Sequence, residues 1–392
     1  MCLSSIDWDF LWQTHQQVMA AFAAHDNRVL FVESTGVRTP NLRDLPRLWR
    51  RARGGGRGHG SRRPPTNVDV FSPVVPPFPY SSAVQAVSLP ILRRAIRRRL
   101  REWNVERPIV WSFLPTPLSQ SLVRALTPAV SIYHCVDDLA ASSVSAARLR
   151  DSEAHSFEEA DLVFVTSRAL WERASRWNPE THLLPSGVDF PRFAGPGETD
   201  CDVPDDLREL PHPRVGYLGG LHQWLDQTLL VSLAERRPDW SIVLVGPVQT
   251  NVSRLTRVPN VHVLGTRDPD QAPRYLRGFD VGLVPYRVTE YTGSVYPAKL
   301  NEYLAVGLAV VSTPLTEIIR FNYDHGDVVA VASDAGGFER AIEEVVAAHG
   351  PEASRRRVAV AKTNSWESRI DVMSSLIEDL LRERGFVTSN QD

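Results

Sequence analysis

The sequence predicts an α/β protein built from two Rossmann-like domains. Its 392 residues exceed what one hydrophobic core usually holds, and 43% hydrophobic with 23% charged residues is typical of a globular chain. Short apolar runs that predict buried strands alternate with helical patterns through both halves. Polar, proline-containing segments separate the halves. We predict a first domain at 1–190, a linker at 191–213, a second domain at 214–365, and a C-terminal helix and tail at 366–392.

The net charge, the cysteine spacing and the lengths of the apolar runs exclude several classes of protein. The net charge of −2 gives no sign of nucleic-acid binding, and the arginine clusters lack the interleaved aromatic residues of a stacking platform. The three cysteines, Cys2, Cys135 and Cys201, have neither metal-ligand spacing nor a disulfide pattern. No run approaches the roughly 20 apolar residues of a membrane span, and no signal-peptide pattern is present. We expect a cytoplasmic protein.

The first domain begins with a predicted helix at 10–24 and a strand at 28–33. Only MCLSSID precedes the helix, so either the first strand is very short or the sequence starts late. A polar and aromatic cluster at Trp8, Trp12 and Gln13 fits either helix packing or a ligand-facing edge.

Two basic segments follow. Residues 36–66 are rich in glycine and arginine and predict a mobile loop. The segment LRRAIRRRLREW predicts a basic helix with Leu92, Ile96 and Leu100 on one stripe. Such a helix is either a solvated face or a surface that contacts an anionic membrane.

Later strands are predicted at 68–71, 109–113, 129–138 and 162–165. The third ends in His134, Asp137 and Asp138, at the carboxyl edge where open α/β sheets bind ligands. A structural histidine and a functional one are both compatible with this position. The adjacent acids lack Asp-x-Asp spacing, so we expect no metal.

The second domain opens with RVGYLGGLHQWLD, which predicts a strand, a turn at Gly219 and Gly220, and a helix. A nicotinamide-dinucleotide site would need G-x-G-x-x-G and an acidic residue after the next strand. That strand, SIVLVGP, ends in Gly246, which disfavours such a site. Further strands are predicted at 261–265, within FDVGLVP, and at 328–332.

Residues 285–314 carry the most informative pattern, a strand, a loop, a short helix and a second strand. Pro297 fits the first turn of that helix and Gly307 its end. Gly293, Ser294 and the first turn could receive a diphosphate, with Lys299 as a cationic clamp and Glu302 one turn further on. The alternative is an ordinary surface pair, although Lys299 is one of only two lysines in the chain.

These residues resemble the donor-binding segment of GT-B glycosyltransferases, especially the retaining group known as family 4. That family commonly has two glutamates eight positions apart, and here Ser294 occupies the first position and Glu302 the second. The segment HLLPSGVDFPRF also resembles the family's Pro-Asn-Gly-Val-Asp turn, with Ser186 in the asparagine position.

The resemblance implies two Rossmann-like domains that face across a cleft, with a C-terminal helix crossing back to the first domain. It implies transfer of a sugar from a nucleotide sugar, which we expect to be a UDP-sugar, to a carbohydrate, lipid-linked or small-molecule acceptor. The configuration of the transferred sugar would be retained. No cofactor is expected, and the location would be cytoplasmic or at the inner face of the membrane. His134 would position the sugar or acceptor, and Asp137 would act as base in an inverting reaction. The donor set would be Gly219, Gly220, Gly265, Thr266, Arg267, Gly293, Ser294, Tyr296, Lys299 and Glu302, and the acceptor region Trp8, Trp12 and Gln13.

Two alternatives stay open at this point. A nucleotide-sugar 2-epimerase shares the architecture but needs no acceptor, and the basic first domain argues against it. A non-catalytic nucleotide-sugar-binding protein is suggested by Ser294 at a glutamate position. Product formation in a sugar-transfer assay distinguishes these classes.

Overall fold

The computed structural model describes residues 1–9, 12–33, 63–76, 78, 80–141, 147–195 and 203–386. The chain divides into two compact units, Met1–Leu184 with Arg369–Asp392, and Pro185–Ser368. Each unit carries its own parallel sheet, so the predicted α/β fold class is confirmed. Most of the predicted loop at 36–66 lies outside the described residues.

The first unit is organised around a sheet that, in its described part, has seven parallel strands in the order β3-β2-β1-β4-β5-β6-β7. The short β1 pairs with both β2 and β4, so the strand order changes direction there. The strands are β1 Cys2–Leu3, β2 Val29–Val32, β3 Val68–Phe71, β4 Ile109–Ser112, β5 Val130–Cys135, β6 Leu162–Val165 and β7 Thr181–Leu183. The helices are α1 Thr14–Ala24, α2 Ser82–Glu102, α3 Pro117–Leu126, α4 Ala147–Glu159 and α5 Arg168–Ala174.

The second unit has a parallel sheet ordered β10-β9-β8-β11-β12-β13 in the part of the chain that is described. Its strands are β8 Arg214–Leu218, β9 Ser241–Val245, β10 Val261–Gly265, β11 Val281–Val284, β12 Ala309–Ser312 and β13 Ala330–Val331. The remaining helices are α6 Phe190–Ala194, α7 Asp205–Arg208, α8 Gln227–Arg236, α9 Ala272–Arg277, α10 Glu290–Gly293, α11 Lys299–Ala305, α12 Thr316–His325, α13 Ala335–Ala347, α14 Pro351–Thr363 and α15 Trp366–Glu383. No helix in these described segments has the length and apolarity needed to cross a membrane.

Several element boundaries differ from the sequence predictions. Helix α1 begins at Thr14 and not at residue 10, with Gln13 at its N-cap position. The short first strand that the sequence left open is present as Cys2–Leu3. Helix α11 begins at Lys299, two residues after Pro297, but ends as predicted before Gly307, whose φ of 78° is left-handed.

The predicted apolar stripe of the basic helix is buried. Leu92, Ile96 and Leu100, spaced four residues apart on α2, are each at most 4% exposed. They pack in one cluster with Leu118 and Leu122 of α3. Opposite this buried stripe Arg94 and Arg98 are exposed, whereas Arg97 donates to the Ala125 carbonyl of α3 at 3.0 Å.

This packing predicts a large difference between two aliphatic truncations on α2. Ile96→Ala leaves a cavity under the helix and should lower the free energy of unfolding by about 2–5 kcal/mol. Val87→Ala is the control, because Val87 is 60% exposed and its loss should be nearly neutral. Urea denaturation followed by circular dichroism measures both, and equal effects would contradict the packing described.

Candidate functional site

The site in the second unit begins at the two-glycine turn after β8. Gly219 has φ of 147°, and a β-carbon there would lie 2.9 Å from Lys299 Cε and 3.3 Å from Tyr217 Oη. Gly246, after the adjacent strand β9, has φ of 145°, and a β-carbon there would lie 2.1 Å from the Gly219 carbonyl oxygen. Both positions therefore need glycine, since only glycine combines this backbone conformation with such close contacts. The turn places bare backbone directly against Lys299.

Two tyrosines fix the position of the Lys299 ammonium. Its Nζ donates a hydrogen bond to Tyr286 Oη. The same atom lies 4.9 Å from the ring centroid of Tyr217 and 4.8 Å from that of Tyr286. Both rings are buried, and Tyr286 meets the cation through its hydroxyl. Lys299 is thus a half-buried cation with a restricted position, and not half of a loose surface ion pair.

Glu302 lies one helical turn after Lys299 and is half-buried. Burial raises the pKa of its carboxyl, while Lys299 and Arg192 lower it and Asp189 raises it. The helix therefore presents a cation and a partly desolvated carboxylate on neighbouring positions.

The segment before α11 differs from the predicted open loop. Gly293 ends the short helix α10, and Ser294 is 6% exposed with its hydroxyl donating to the Tyr291 carbonyl at 2.8 Å. Tyr296 is 8% exposed, and its hydroxyl accepts from Asn301 Nδ2 at 2.9 Å. These side chains shape and anchor the segment that precedes Lys299.

Gly265, Thr266 and Arg267 lie at the end of the edge strand β10. Gly265 has φ of 73° with open space around its α-carbon. The Arg267 guanidinium is held by Asp206 at 2.7 Å and donates to Tyr275 Oη at 2.9 Å. The Arg267 side chain is therefore engaged within the unit.

Beyond the glycine turn, where the resemblance implies basic phosphate ligands, the sequence has His222 and Asp226, and the structure brings His222 to the turn. A β-carbon on Gly220 would lie 3.0 Å from His222 Nε2. The imidazole stacks on Trp224 at 4.4 Å between centroids, and Trp224 contacts Tyr291 at 5.0 Å. Burial, followed by the nearby Lys299 charge, lowers the pKa of His222. Its place two residues after the glycine pair was the available signal.

In the first unit, His134 lies inside the aromatic core at the end of β5. It is 1% exposed and stacks on Phe113 at 5.0 Å between centroids. Within the described residues neither ring nitrogen has a hydrogen-bond partner. Burial, with a contribution from His15, lowers the pKa of His134 to about 3. His15 is also buried with a pKa of about 3, and its Nε2 lies 2.8 Å from Ser5 Oγ. Both imidazoles are therefore neutral near pH 7.

Asp137 lies two residues beyond β5, beside a buried ionic cluster. Burial, then the neighbouring Asp138, raises the pKa of Asp137 to about 6. Asp138 accepts from Arg173 at 2.7 Å, and Arg173 also pairs with Glu153 at 2.8 Å. Glu153 is almost fully buried and accepts from Tyr133 Oη at 2.9 Å. Arg173 thus connects the loop of Asp137 to the interior of the unit.

The predicted acceptor-region residues are placed differently from one another. Trp8 is 3% exposed and packs edge-on against Trp12 and Phe31, at 5.4 and 4.9 Å between centroids. Its ring is therefore a core element and not a ligand-facing surface. Gln13 is exposed at the start of α1, where its backbone amide donates to Gln16 Oε1 at 3.1 Å.

Both the second unit and the chain as a whole are similar to known proteins. Residues 212–348 match the family model described as "Glycosyl transferases group 1". Over 286 residues the chain is 28% identical to a Bacillus subtilis protein described as the putative teichuronic acid biosynthesis glycosyltransferase TuaH, covering 67% of this chain and 70% of that protein. The chain is a glycosyltransferase with a group 1 domain. The predicted enzyme class is therefore confirmed.

Solved structures show the fold of this glycosyltransferase to be GT-B. Anabaena HepE in complex with UDP and glucose has a TM-score of 0.64 and 16% identity, covering 93% of this chain and 95% of that one. Sucrose-phosphate synthase from Thermosynechococcus elongatus has a TM-score of 0.66 and 18% identity, with coverages of 94% and 92%. WaaG, a glycosyltransferase involved in lipopolysaccharide biosynthesis, has a TM-score of 0.61 and 14% identity, with coverages of 96% and 98%.

The ionic cluster of this glycosyltransferase predicts a pH-dependent stability change. Arg173→Ala leaves the buried Glu153 without its cation and should destabilise the protein by about 3–5 kcal/mol. Because burial already raises the pKa of Glu153, neutralisation on acidification should relieve part of this cost, so the loss should be larger at pH 8 than at pH 5.

The double variant Arg173→Ala with Glu153→Gln serves as the control. It removes the uncompensated charge, so it should recover stability relative to Arg173→Ala and lose most of the pH dependence. Thermal unfolding at the two pH values measures this, and a double variant no more stable than the single one would contradict the pairing.

Proposed function

We propose that this glycosyltransferase uses a nucleoside-diphosphate sugar, with UDP as the nucleotide, and transfers the sugar with retention of configuration. The observation that carries the proposal is the Lys299 ammonium held between Tyr217 and Tyr286 against the Gly219 backbone. A diphosphate needs a concentrated positive charge close to backbone that can approach it, and this turn offers both. Lysine and backbone groups would meet the charge without a resident metal.

The remaining residues of the nucleotide-sugar site would bind the ribose and the base of the nucleoside. Glu302, one turn from Lys299, would accept hydrogen bonds from two vicinal ribose hydroxyls, because a carboxylate offers two acceptor oxygens. The backbone of Gly265 and Thr266 would contact the base at the end of β10. The choice of uracil is supported by Anabaena HepE, whose structures hold UDP with glucose, UDP, and UDP-glucose.

Catalysis would depend mainly on positioning and on stabilising the leaving diphosphate. A retaining reaction of this kind needs no side-chain nucleophile. The neutral His134 would orient the sugar or the acceptor, and in an inverting reaction Asp137, whose pKa is about 6, would be the base. The TuaH relative supports a polysaccharide acceptor, and lipid-linked or small-molecule acceptors belong to the same proposal.

Calorimetric titration with UDP, TDP and GDP tests the donor site. We expect UDP to bind most tightly, and Lys299→Ala and Glu302→Ala each to weaken its binding by about 1–3 kcal/mol, because each removes a charge-assisted hydrogen bond. The matched control is Lys362→Ala, which removes the other lysine of the chain from an exposed position on α14.

The same titration can reject the proposal. If no nucleotide binds, or if Lys299→Ala weakens binding no more than Lys362→Ala does, then the turn and α11 do not form the donor site.

We further propose that the outer face of α2 contacts anionic membrane lipids, where a lipid-linked acceptor would be found. Val87 and Ile91 are 60% and 58% exposed in the first half of the helix. Arg94 and Arg98, three and seven residues after Ile91, are exposed on the same side of the helix. Apolar side chains beside cations are the pattern of a helix that lies on a membrane surface.

Vesicle sedimentation tests this contact. The protein should bind vesicles of phosphatidylcholine with phosphatidylglycerol more than phosphatidylcholine alone, and Arg94→Gln with Arg98→Gln should weaken that binding by roughly 2 kcal/mol, since each cation near the surface contributes about 1 kcal/mol. The control is Arg148→Gln with Arg150→Gln, which removes two exposed charges from α4 of the same unit. Equal effects of the two pairs would refute a specific contact through α2.

A further inference from the structure

The side chains of His222 and Lys299 approach the same glycine turn. Lys299 Cε would be 2.9 Å from a β-carbon on Gly219, and His222 Nε2 would be 3.0 Å from one on Gly220. The two side chains therefore approach successive residues of one turn. The Tyr217 hydroxyl donates to the Gly220 carbonyl at 2.9 Å, which holds this part of the turn.

The imidazole is held in place by aromatic packing. Its ring is nearly parallel to Trp224, with an interplanar angle of 22°, and Trp224 in turn packs on Tyr291. The Trp224 carbonyl accepts from the Arg287 amide at 2.8 Å, which ties this loop to the chain after β11. A stacked ring with a restricted position resembles the way Lys299 is held by its two tyrosines.

Burial and the Lys299 charge both disfavour a second cation at His222 in the ligand-free protein. The titratable groups on the surrounding elements are Lys299 and Glu302 on α11, Tyr217 at the end of β8, Tyr286 after β11, Glu290 and Tyr291 on α10, and Asp226 and Arg287 in the adjoining loops. The Asp226 carboxylate is engaged at the start of α8, where it accepts from the Leu229 amide at 2.9 Å. Burial and the Lys299 charge lower the pKa of His222 below its ordinary value of 6.5.

We infer that His222 is a second phosphate-binding group of the proposed donor site, and that it takes up one proton from water when the diphosphate of the nucleotide sugar binds. This inference rests on the proposed donor site. A diphosphate at the Gly219–Gly220 turn would bring negative charge to both Lys299 and His222. That charge cancels the repulsion from Lys299 and stabilises the imidazolium, which then donates a charge-assisted hydrogen bond.

The direction of the pH dependence follows from linkage. Bound diphosphate raises the His222 pKa, so the complex holds more protons than the free protein between the two pKa values. Affinity should therefore increase as the pH falls through the pKa of the complex, by at most about tenfold per pH unit, and level off below the pKa of the free protein.

The experiment is calorimetric titration with UDP-glucose between about pH 5.5 and pH 8.5, in pairs of buffers that differ in ionisation enthalpy. This probe is suitable because its diphosphate is esterified at both ends, so its own phosphate protons do not titrate in this range. The wild-type protein should bind more tightly at low pH and take up a substantial fraction of one proton per site.

Three variants test whether the His222 imidazole is the group that takes up the proton. His222→Gln should bind at high pH almost as tightly as wild type, but without proton uptake and without the increase at low pH. His222→Lys, which carries a permanent charge, should bind with little pH dependence. His349→Gln, at an exposed position after α13 in the same unit, should behave as wild type.

The outcomes distinguish this inference from the proposed function. If UDP-glucose binds but proton uptake is absent in wild type, or is unchanged in both His222 variants, then the role of His222 is overturned while the donor site stands. If UDP-glucose binds to wild type at no pH, then the proposed donor site is overturned, and this inference with it.

Discussion

The close approach of a lysine to bare backbone is the constraint on which the second unit depends. Lys299 can reach the end of β8 only because Gly219 has no side chain, and Gly219 can adopt its position only because Gly246 leaves room for its carbonyl. Tyr217 and Tyr286 then restrict the position of the ammonium. The strands β8 and β9, the glycine turn and the short helix α11 thus together determine where the Lys299 ammonium lies.

In the first unit, by contrast, buried ionisable side chains are either neutral or paired with an opposite charge. Its buried histidines are neutral, because burial makes the imidazolium unfavourable. Its buried carboxylate, Glu153, is accompanied by Arg173, which also holds Asp138. The ionic contacts there serve the packing of the unit, whereas the charge in the second unit remains available at the end of the sheet.

The distribution of cations gives the two units distinct surfaces. Nearly all cationic side chains of the protein are arginines, which are concentrated in the first half of the chain. Of the two lysines, Lys299 lies at the glycine turn. A compact ammonium fits a narrow position between two rings and a peptide, where a planar guanidinium would need more room. On α2, Arg94 and Arg98 are exposed opposite the buried stripe of Leu92, Ile96 and Leu100.

The sequence by itself determined the α/β class, most strands, the Gly307 helix end and the resemblance at 285–314, because hydrophobic periodicity and glycine or proline signals are local. Helices α1 and α11 begin four and two residues later than predicted, since the local sequence specifies helix boundaries only weakly. Only the tertiary structure decided that Trp8 lies in the core, that Ser294 is buried, and that His222 and Lys299 approach one turn. Those facts depend on contacts between residues far apart in the chain, which no local pattern encodes.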